Sequence, residues 1–241
     1  MKEKNKSSRS IKIDLPFQTD YFEDFYKNYR DSIDDLFLSE TKFLNKVVNK
    51  SEKILDVGCA IGGMNKIVKK INPNISYTGI DVSKKLIDVA KKIYPLTNFI
   101  VGDGINLPFN KCEYDSVISF GTTVHDQDYK RLINDCLRVT KKYFLFDIRL
   151  INSLPTINDL NLGYVDDDSS IRYPYVVINF NEFIEFLKSL KGIRVNIYGY
   201  FGSANEFTSL PKGYEKICMT GVLIEKIASV NTTFSKIEIP F

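Results

Sequence analysis

Three acidic residues stand at the ends of short apolar segments, and a glycine-rich turn follows the first of them. Asp56 lies in the segment 53–57, which runs directly into Gly58-Cys59-Ala60-Ile61-Gly62-Gly63. Asp81 and Asp103 each follow a later apolar run. Glycine has no Cβ and tolerates turn dihedrals that other residues avoid, so a ligand can approach the main chain at such a turn. A strand, a bare turn and a helix start in this order are typical of a ligand site at the carboxyl edge of a parallel sheet.

The segments around these residues alternate between strand and helix patterns. The predicted strands lie at about 53–57, 76–80, 98–101, 114–120 and 142–148, and the predicted helices between them lie near 63–71, 84–93 and 128–139. The strand segments are almost wholly apolar, as a sheet covered on both faces requires. Strand–helix alternation at this spacing predicts a doubly wound parallel sheet.

The C-terminal part adds a different connection to this sheet. Residues 179–190 read as an amphipathic helix, and two strand-like runs follow at 193–201 and 216–226. The segment between these runs is too short to hold a crossover helix easily, so the two strands should be antiparallel neighbours. We therefore expect an α/β fold with a doubly wound, mostly parallel, seven-stranded sheet and an antiparallel terminal strand.

Together these features resemble the class I S-adenosylmethionine-dependent methyltransferases, of the type that acts on small molecules. The first strand and turn of that family read as an acidic residue, x, Gly, x, Gly, x, Gly. The matching residues here are Asp56, Gly58, Ala60 and Gly62, with Ala60 in place of the central glycine. The resemblance implies a Rossmann-like methyltransferase fold, methyltransferase activity and S-adenosyl-L-methionine as the cofactor.

The resemblance also implies a role for the acidic strand ends. Asp81 would accept hydrogen bonds from both ribose hydroxyls, and Asp103 would accept from the adenine amino group, with the Gly104 amide close to the ring edge. Ionised carboxylates suit these roles because they only accept hydrogen bonds, and charge-assisted bonds are the stronger kind. The simpler alternative for either residue is the N-cap of the next helix.

Further positions implied for the cofactor lie in the first and fourth loops. Gly58 and Gly62 would let its methionine end lie against the backbone, although glycines in such a turn can also serve tight packing alone. Phe120 and Gly121, beyond the fourth strand, would line the methionine segment. The implied cofactor site further includes Asp56, Cys59 and Val82.

His125 is the only histidine of the chain and the candidate catalytic residue. It lies five residues beyond Phe120, where members of the family that act on small molecules often carry a histidine. It would act there as a general base or contact the acceptor. The alternative is a structural histidine that caps the next helix or ties down the loop.

Three segments lie outside the predicted sheet and its helices. We expect residues 1–15 to be disordered or loosely attached, and residues 16–241 to form a single domain. Within that domain, residues 16–50 would form an N-terminal helical cap and residues 149–178 an insertion that acts as a lid.

The predicted cap contains an aromatic stripe at helical spacing, formed by Phe22, Phe25, Tyr26 and Tyr29. Such a stripe usually packs against the sheet, and in this family it can also close over the cofactor. Arg30 could pair with the methionine carboxylate, although a solvated surface position is the simpler alternative.

The predicted insertion carries three consecutive carboxylates, Asp166 to Asp168, and three tyrosines. Adjacent residues in an extended loop point in different directions, so a solvated loop is a better interpretation than a metal site. Tyr164, Tyr173 and Tyr175 are plausible lid contacts for the acceptor.

Composition excludes several classes of protein. The chain of 241 residues has 33 basic and 30 acidic residues, a net charge of +3 that gives no support for nucleic-acid binding. No apolar run approaches the ~20 residues of a membrane span, and the polar N-terminus lacks the apolar core of a secretory signal. Four scattered cysteines without a C-x-x-C pair, beside one histidine, argue against a zinc site and fit reduced thiols in the cytoplasm.

The acceptor is expected to be a small molecule, and the sequence only weakly indicates which of its atoms is methylated. Ser119-Phe120-Gly121-Thr122 stands where the Asn/Asp-Pro-Pro-aromatic signature of amine or base methylation would occur, which favours oxygen of a sugar or secondary metabolite. Two other functions remain open. One is a nicotinamide-dependent oxidoreductase, because Gly58-x-Ala60-x-x-Gly63 also fits a relaxed dinucleotide pattern. The other is a non-catalytic scaffold protein that binds S-adenosylmethionine. The oligomeric state is left open.

Overall fold

A computed structural model describes residues 17, 20–27, 30, 32–166 and 171–241. The helices are α1 (Asp20–Lys27), α2 (Leu38–Asn49), α3 (Gly63–Ile71), α4 (Lys84–Ile93), α5 (Tyr129–Val139) and α6 (Phe180–Ser189), with short 3-10 helices at Ile33–Asp35 and Thr123–His125. The longer strands are β1 (Lys53–Val57), β2 (Ser76–Asp81), β3 (Asn98–Val101), β4 (Tyr114–Ser119), β5 (Thr140–Ile151), β9 (Ile193–Gly202), β11 (Ile217–Lys226) and β12 (Thr233–Glu238). The two-residue strands are β6 (Tyr164–Val165), β7 (Tyr173–Pro174), β8 (Ile178–Asn179) and β10 (Thr208–Ser209). Some predictions from the sequence concern residues outside the described ranges, namely residues 1–15, Tyr29, Asp167 and Asp168.

The central sheet has the order β3–β2–β1–β4–β5–β11–β9–β12. Strands β1 to β5 are parallel, and β11 runs antiparallel to both of its neighbours, β5 and β9. The predicted doubly wound, mostly parallel fold is therefore confirmed. The antiparallel strand lies inside the sheet and not at its edge.

The strand count differs from the prediction, because the described sheet has nine strands. Strand β12 pairs in parallel with β9 at the outer edge, and β8 pairs with the end of β5. The sequence of β12 is half exposed and only weakly patterned, so its strand character comes from the partner that it meets in the fold. Strand β5 also runs to Ile151, beyond the predicted end at residue 148.

Each face of the sheet is covered by its own helices. Leu55 in β1 and Phe144 in β5 pack on one face with α5 and α6, while Ile54 and Leu145 pack on the other with α2 and α3. Neighbouring residues thus enter different cores because side chains alternate along a strand. Burial on both faces makes these strands continuously apolar.

The segment predicted as one N-terminal cap consists of helices that lie on different parts of the central sheet. Helix α2 packs on the sheet through Leu44, Val47 and Val48, all fully buried, and belongs to the core. It lies so close to β11 that a Cβ added to Gly221 would overlap the Ser39 carbonyl oxygen. The part around α1, together with Arg30 and Phe37, lies at the carboxyl edge of the sheet instead.

The predicted insertion forms a small sheet with a second loop. Strand β6 pairs antiparallel with β7 and with β10, and β10 comes from the connection between β9 and β11. Two segments that are far apart in sequence therefore stand together over the carboxyl edge of the central sheet. No helix in the described ranges is both long and apolar enough to cross a membrane.

Candidate functional site

Two joined cavities open at the carboxyl ends of the parallel strands. The smaller, of about 100 Å³, lies beyond β1, β2 and β3 and is called the strand-end cavity; Asp81, Asp103, Leu86 and Leu132 are among its walls. The larger, of about 530 Å³, is called the aromatic cavity, and its walls include Phe17, Phe22, Phe37, Tyr173, Tyr175 and Phe207. This edge of the sheet, where the strand order reverses beside β1, is the usual ligand position in doubly wound folds.

All but one of the residues predicted for the site line these cavities. Asp81, Val82, Asp103 and Gly104 line the strand-end cavity. Asp56 and Cys59 line the aromatic cavity. Gly58, Phe120, Gly121 and His125 line both, so they mark the junction.

Gly62 is the exception, because it lines neither cavity. It has a φ of 83°, and a Cβ placed on it would come within 2.6 Å of the Phe99 ring. The turn thus needs glycine here for its left-handed conformation and for packing against β3. Tight packing, the alternative raised by the sequence, accounts for Gly62.

Asp81 is buried at the end of β2 and joins two loops. One carboxylate oxygen accepts from the Ala60 amide at 2.9 Å, and the other accepts from the Ser83 amide at 2.8 Å. Ser83, and not Asp81, caps α4, since its hydroxyl accepts from the Leu86 amide. Asp81 therefore holds the glycine turn against the strand-end cavity, and its carboxylate has lone pairs for further donors.

Asp103 is half-buried and lies across the same cavity. Its Oδ1 accepts from the Ile105 amide at 3.0 Å, which forms a local turn beyond β3. No helix follows directly, so the N-cap alternative does not apply to Asp103. The two carboxylates thus stand on different strand ends but on one cavity, as the sequence predicts for a shared ligand.

Asp56 is buried beneath the glycine turn and is held by the Tyr77 hydroxyl, which donates to its Oδ2. Burial raises the pKa of the Asp56 carboxyl to about 7, although the Tyr77 hydrogen bond and the Arg30 charge act in the opposite direction. Nearby Asp81 adds to the rise. A carboxyl that titrates near neutral pH therefore lies on the wall of the aromatic cavity.

Gly121 forms the junction of the cavities with an unusual backbone. Its φ is 76°, and no described atom outside its immediate neighbours lies within 4 Å of the position that a Cβ would occupy. Its amide donates to Asp147 Oδ1 at 2.6 Å, which fixes this conformation. The missing side chain leaves open space beside the backbone.

His125 ends the 3-10 helix beyond β4 and connects it to the insertion. Its Nδ1 lies 2.8 Å from the Pro174 carbonyl oxygen, and its ring stands edge-on to Tyr173 at 5.0 Å. A carbonyl can only accept, so this contact places the proton on Nδ1 and the lone pair of the neutral ring on Nε2. The N-cap of α5 is Asp128, so His125 does not cap that helix.

Arg30 lies inside the site and not on the surface. Its Nη2 lies 2.5 Å from Glu40 Oε1, with side chains that are 13% and 0% exposed, and its guanidinium lies 5.9 Å from the centre of the Phe120 ring. The solvated alternative for this arginine is therefore wrong. Its backbone has a φ of 62°, which the neighbouring Gly63 accommodates by lacking a Cβ.

The aromatic stripe of α1 packs over the cavities. Phe22 is buried and contacts the Tyr173 ring at 5.7 Å, and Phe17 contacts the same ring at 5.4 Å. Phe25 remains exposed. In the described part of the acidic loop, Asp166 is exposed and pairs with Arg172 Nη2 at 2.7 Å.

Sequence reasoning missed a buried ion pair in β5. Arg149 Nη1 donates to Asp147 Oδ2 at 2.7 Å, and Arg149 lines the aromatic cavity. Two charged residues that alternate within Phe146-Asp147-Ile148-Arg149-Leu150 signal this pair, because an otherwise apolar central strand rarely carries them. The predicted strand ended at residue 148, which assigned Arg149 to the insertion.

Comparison with known proteins identifies related sequences. A family model described as a methyltransferase domain matches residues 54–143. A demethylmenaquinone methyltransferase of Thermotoga maritima is 33% identical over 112 residues, which cover 44% of this chain and 48% of that protein. The chain spans about half the length of the curated relatives it matches first.

Solved structures share the fold at low sequence identity. A S-adenosylmethionine-dependent methyltransferase of Methanosarcina mazei has a TM-score of 0.57 and 16% identity, over 80% of this chain and 98% of that one. The N-terminal domain of EvdMO1 with bound S-adenosylhomocysteine has a TM-score of 0.55 and 13% identity, over 77% and 79% of the two chains. The antiparallel β11 is not expected for the nicotinamide-dependent alternative, in which the sheet would continue with parallel crossovers.

Proposed function

We propose that this chain, a member of the class I S-adenosylmethionine-dependent methyltransferases, transfers a methyl group from that cofactor to an oxygen of a small molecule bound in the aromatic cavity. The observation that carries the proposal is the junction at Gly121, where a cavity lined by two strand-end carboxylates meets a larger aromatic one. Cofactor and acceptor must meet at such a junction for methyl transfer to occur.

The residues of the strand-end cavity fit the cofactor. Asp81 and Asp103 offer carboxylate oxygens for ribose hydroxyls and an adenine amino group, and the Gly104 amide lies on the same wall. At Gly121 the open space where a Cβ would stand supports a close approach of the methionine segment to the backbone. S-adenosylmethionine supplies an activated methyl group on a sulfonium sulfur, so the protein mainly has to orient the acceptor and exclude water.

His125 is placed to remove a proton from an acceptor hydroxyl. It lines both cavities, and the Pro174 carbonyl holds its ring so that Nε2 is the proton acceptor of the neutral form. A positioned general base contributes about 10²- to 10⁴-fold in rate. The same contact ties the 3-10 helix to the insertion, so the kinetics of a His125 variant separate a catalytic role from a purely structural one.

The aromatic cavity supports a small acceptor over a macromolecule. Its volume of about 530 Å³ suits a metabolite, and α1 and the small sheet cover it from outside. Buried aromatic rings such as Tyr173 and Phe22 form its walls in place of a basic groove.

Calorimetric titration with S-adenosylhomocysteine tests the cofactor site. We expect binding by the wild type and a roughly 10- to 100-fold weaker affinity in Asp81→Asn and Asp103→Asn, since a bond to a charged group contributes ~1.5–3 kcal/mol. Asp88→Asn is the matched control, because Asp88 is an exposed carboxylate of α4 paired with Lys84. Unchanged affinity in both site variants would show that the cofactor site has been placed wrongly.

Incubation with methyl-labelled S-adenosylmethionine tests the acceptor class. A cell extract is separated by size, and we expect label only in the fraction of small molecules, with a loss of at least ~10²-fold in kcat for His125→Asn and little change in cofactor affinity. Label in the RNA or protein fraction would contradict the small-molecule acceptor. Cofactor binding without label in any fraction would instead support the non-catalytic scaffold.

A further inference from the structure

We infer that Arg149 recognises a carboxylate on the acceptor, so the acceptor of the proposed reaction is an organic acid with an apolar framework. The inference rests on the proposed function in one respect, namely that the ligand of this cavity is the methyl acceptor. It starts from a cationic side chain that is 5% exposed and lines only the aromatic cavity.

The guanidinium of Arg149 has two side-chain partners, Asp147 and the Tyr175 hydroxyl, and, within the described ranges, one donor without a partner. Nη1 donates to Asp147 Oδ2 at 2.7 Å and lies 3.3 Å from the Ile148 carbonyl oxygen. Nε is buried and has no hydrogen-bond partner among the residues that the structure describes. A buried cationic group with an unsatisfied donor is poorly compensated by the protein alone, which favours an anionic ligand group beside this guanidinium.

Asp147 holds the guanidinium in place but does not neutralise it fully. Its other oxygen accepts from the Gly121 amide at 2.6 Å, so its charge is shared between two donors. Burial would lower the pKa of Arg149, but Asp147 and Tyr175 outweigh it and raise the pKa, so the guanidinium stays charged. The same carboxylate thereby links the cationic group to the junction where the methyl group would be transferred.

The surroundings of Arg149 define the rest of the ligand. Its guanidinium lies 5.6 Å from the centre of the Phe37 ring, and Met219 is its register partner on β11. Tyr175 and Phe207 also stand on this cavity. These side chains suit a flat apolar body, while the planar guanidinium suits a planar carboxylate.

The charged groups on the cavity wall favour a ligand that carries a single negative charge. Asp56 and Glu206 line the same cavity, as does Arg30, whose charge is paired with Glu40, and Asp147 lies directly behind Arg149. A dianionic phosphate would meet more repulsion here than a monoanionic carboxylate. Arg149 lines no part of the strand-end cavity, which separates this role from recognition of the adenosyl group.

The test compares acids with their neutral amides. Benzoate, 2-naphthoate, benzamide and 2-naphthamide are titrated calorimetrically into the wild type, with and without saturating S-adenosylhomocysteine. We expect at least one acid to bind at least ~10-fold more tightly than its amide. Absence of binding by both acids, or equal affinity of acid and amide, would overturn the inference.

Substitutions then test whether Arg149 is the side chain responsible for the preference for acids over amides. Arg149→Gln alone leaves Asp147 buried without its partner and can fail to fold, so Asp147→Asn combined with Arg149→Gln removes both charges together. In the titrations without S-adenosylhomocysteine, we expect the double variant to bind acid and amide within ~2-fold of each other. Arg172→Gln, which removes an exposed arginine paired with Asp166, is the control and should keep the preference.

The remaining outcomes are distinguishable. A preference for acids that survives in the double variant would overturn the role of Arg149, as would a large loss of S-adenosylhomocysteine affinity with the acid preference intact. Failure of the wild type to bind S-adenosylhomocysteine would refute the proposed function. The titrations without that ligand would still report whether Arg149 binds carboxylates.

Discussion

Replacing Asp56 with asparagine should remove a pH dependence of stability that this buried carboxyl imposes. The ordinary pKa of an aspartate carboxyl is 3.8, and that of Asp56 in the fold is about 7. The folded chain therefore holds its proton more tightly than the unfolded chain does. The free energy of unfolding must then fall as pH rises from the unfolded pKa to the folded one, and level off above it.

The size of this effect follows from the two pKa values. Between pH 5 and pH 7 the unfolded carboxyl is ionised and the folded one is mostly protonated, so linkage removes about 2 kcal/mol of stability. Asparagine stays neutral and still accepts the hydrogen bond from Tyr77. The difference in unfolding free energy between Asp56→Asn and wild type should thus grow by about 2 kcal/mol in favour of the variant over that interval.

Urea denaturation at pH 5, 6, 7 and 8 measures this difference. Other buried acids, such as Glu40, whose pKa is also raised by burial, are present in both proteins, so most of their contribution cancels. The control is Asp88→Asn, because Asp88 is exposed and its pKa is lowered by Lys84, so it is ionised throughout the interval. A difference for Asp56→Asn that stays constant from pH 5 to pH 7 would refute the reasoning that burial dominates at this carboxyl.

Two further substitutions test the backbone geometry. Ala60→Gly should stabilise the protein by about 0.5–1 kcal/mol, because Ala60 has a φ of 46° and relief of left-handed strain exceeds the entropy that glycine loses on folding; thermal denaturation with a lower Tm than the wild type would contradict this. Gly221→Ala should destabilise by about 1–3 kcal/mol or more, because the new Cβ would overlap the Ser39 carbonyl oxygen between β11 and α2. Urea unfolding that matches the wild type would show that α2 moves away from the sheet at no cost.

The parts of the fold that sequence reasoning predicted well are those determined locally. Strands β1 to β4 are short, apolar and bounded by turns, so their type and position follow from composition and periodicity. Asp81 is the last residue of β2 and Asp103 lies two residues beyond β3, and parallel strands place their carboxyl ends at one edge. Position along the chain was therefore enough to predict that these carboxylates share a cavity.

The parts that were missed depend on contacts between distant segments. The strand character of β12 comes from its pairing with β9, which no local pattern in Thr233–Glu238 indicates. The burial of Arg30 depends on Glu40 of α2, and the position of Arg149 depends on how far β5 continues. Gly62 shows the converse case, because a motif residue can be required by its φ and by Phe99 without lining either cavity.

The small sheet of β6, β7 and β10 lets the aromatic cavity change in sequence independently of the strand-end cavity. Its strands come from two loops outside the parallel core, and they carry the side chains of Val165, Tyr173 and Phe207 near the aromatic cavity. Substitutions on these loops would reshape the pocket without touching Asp81 or the glycine turn. Under the proposed function, evolution could therefore exchange one methyl acceptor for another while the adenosyl-binding half is inherited intact, provided that paired loops change together.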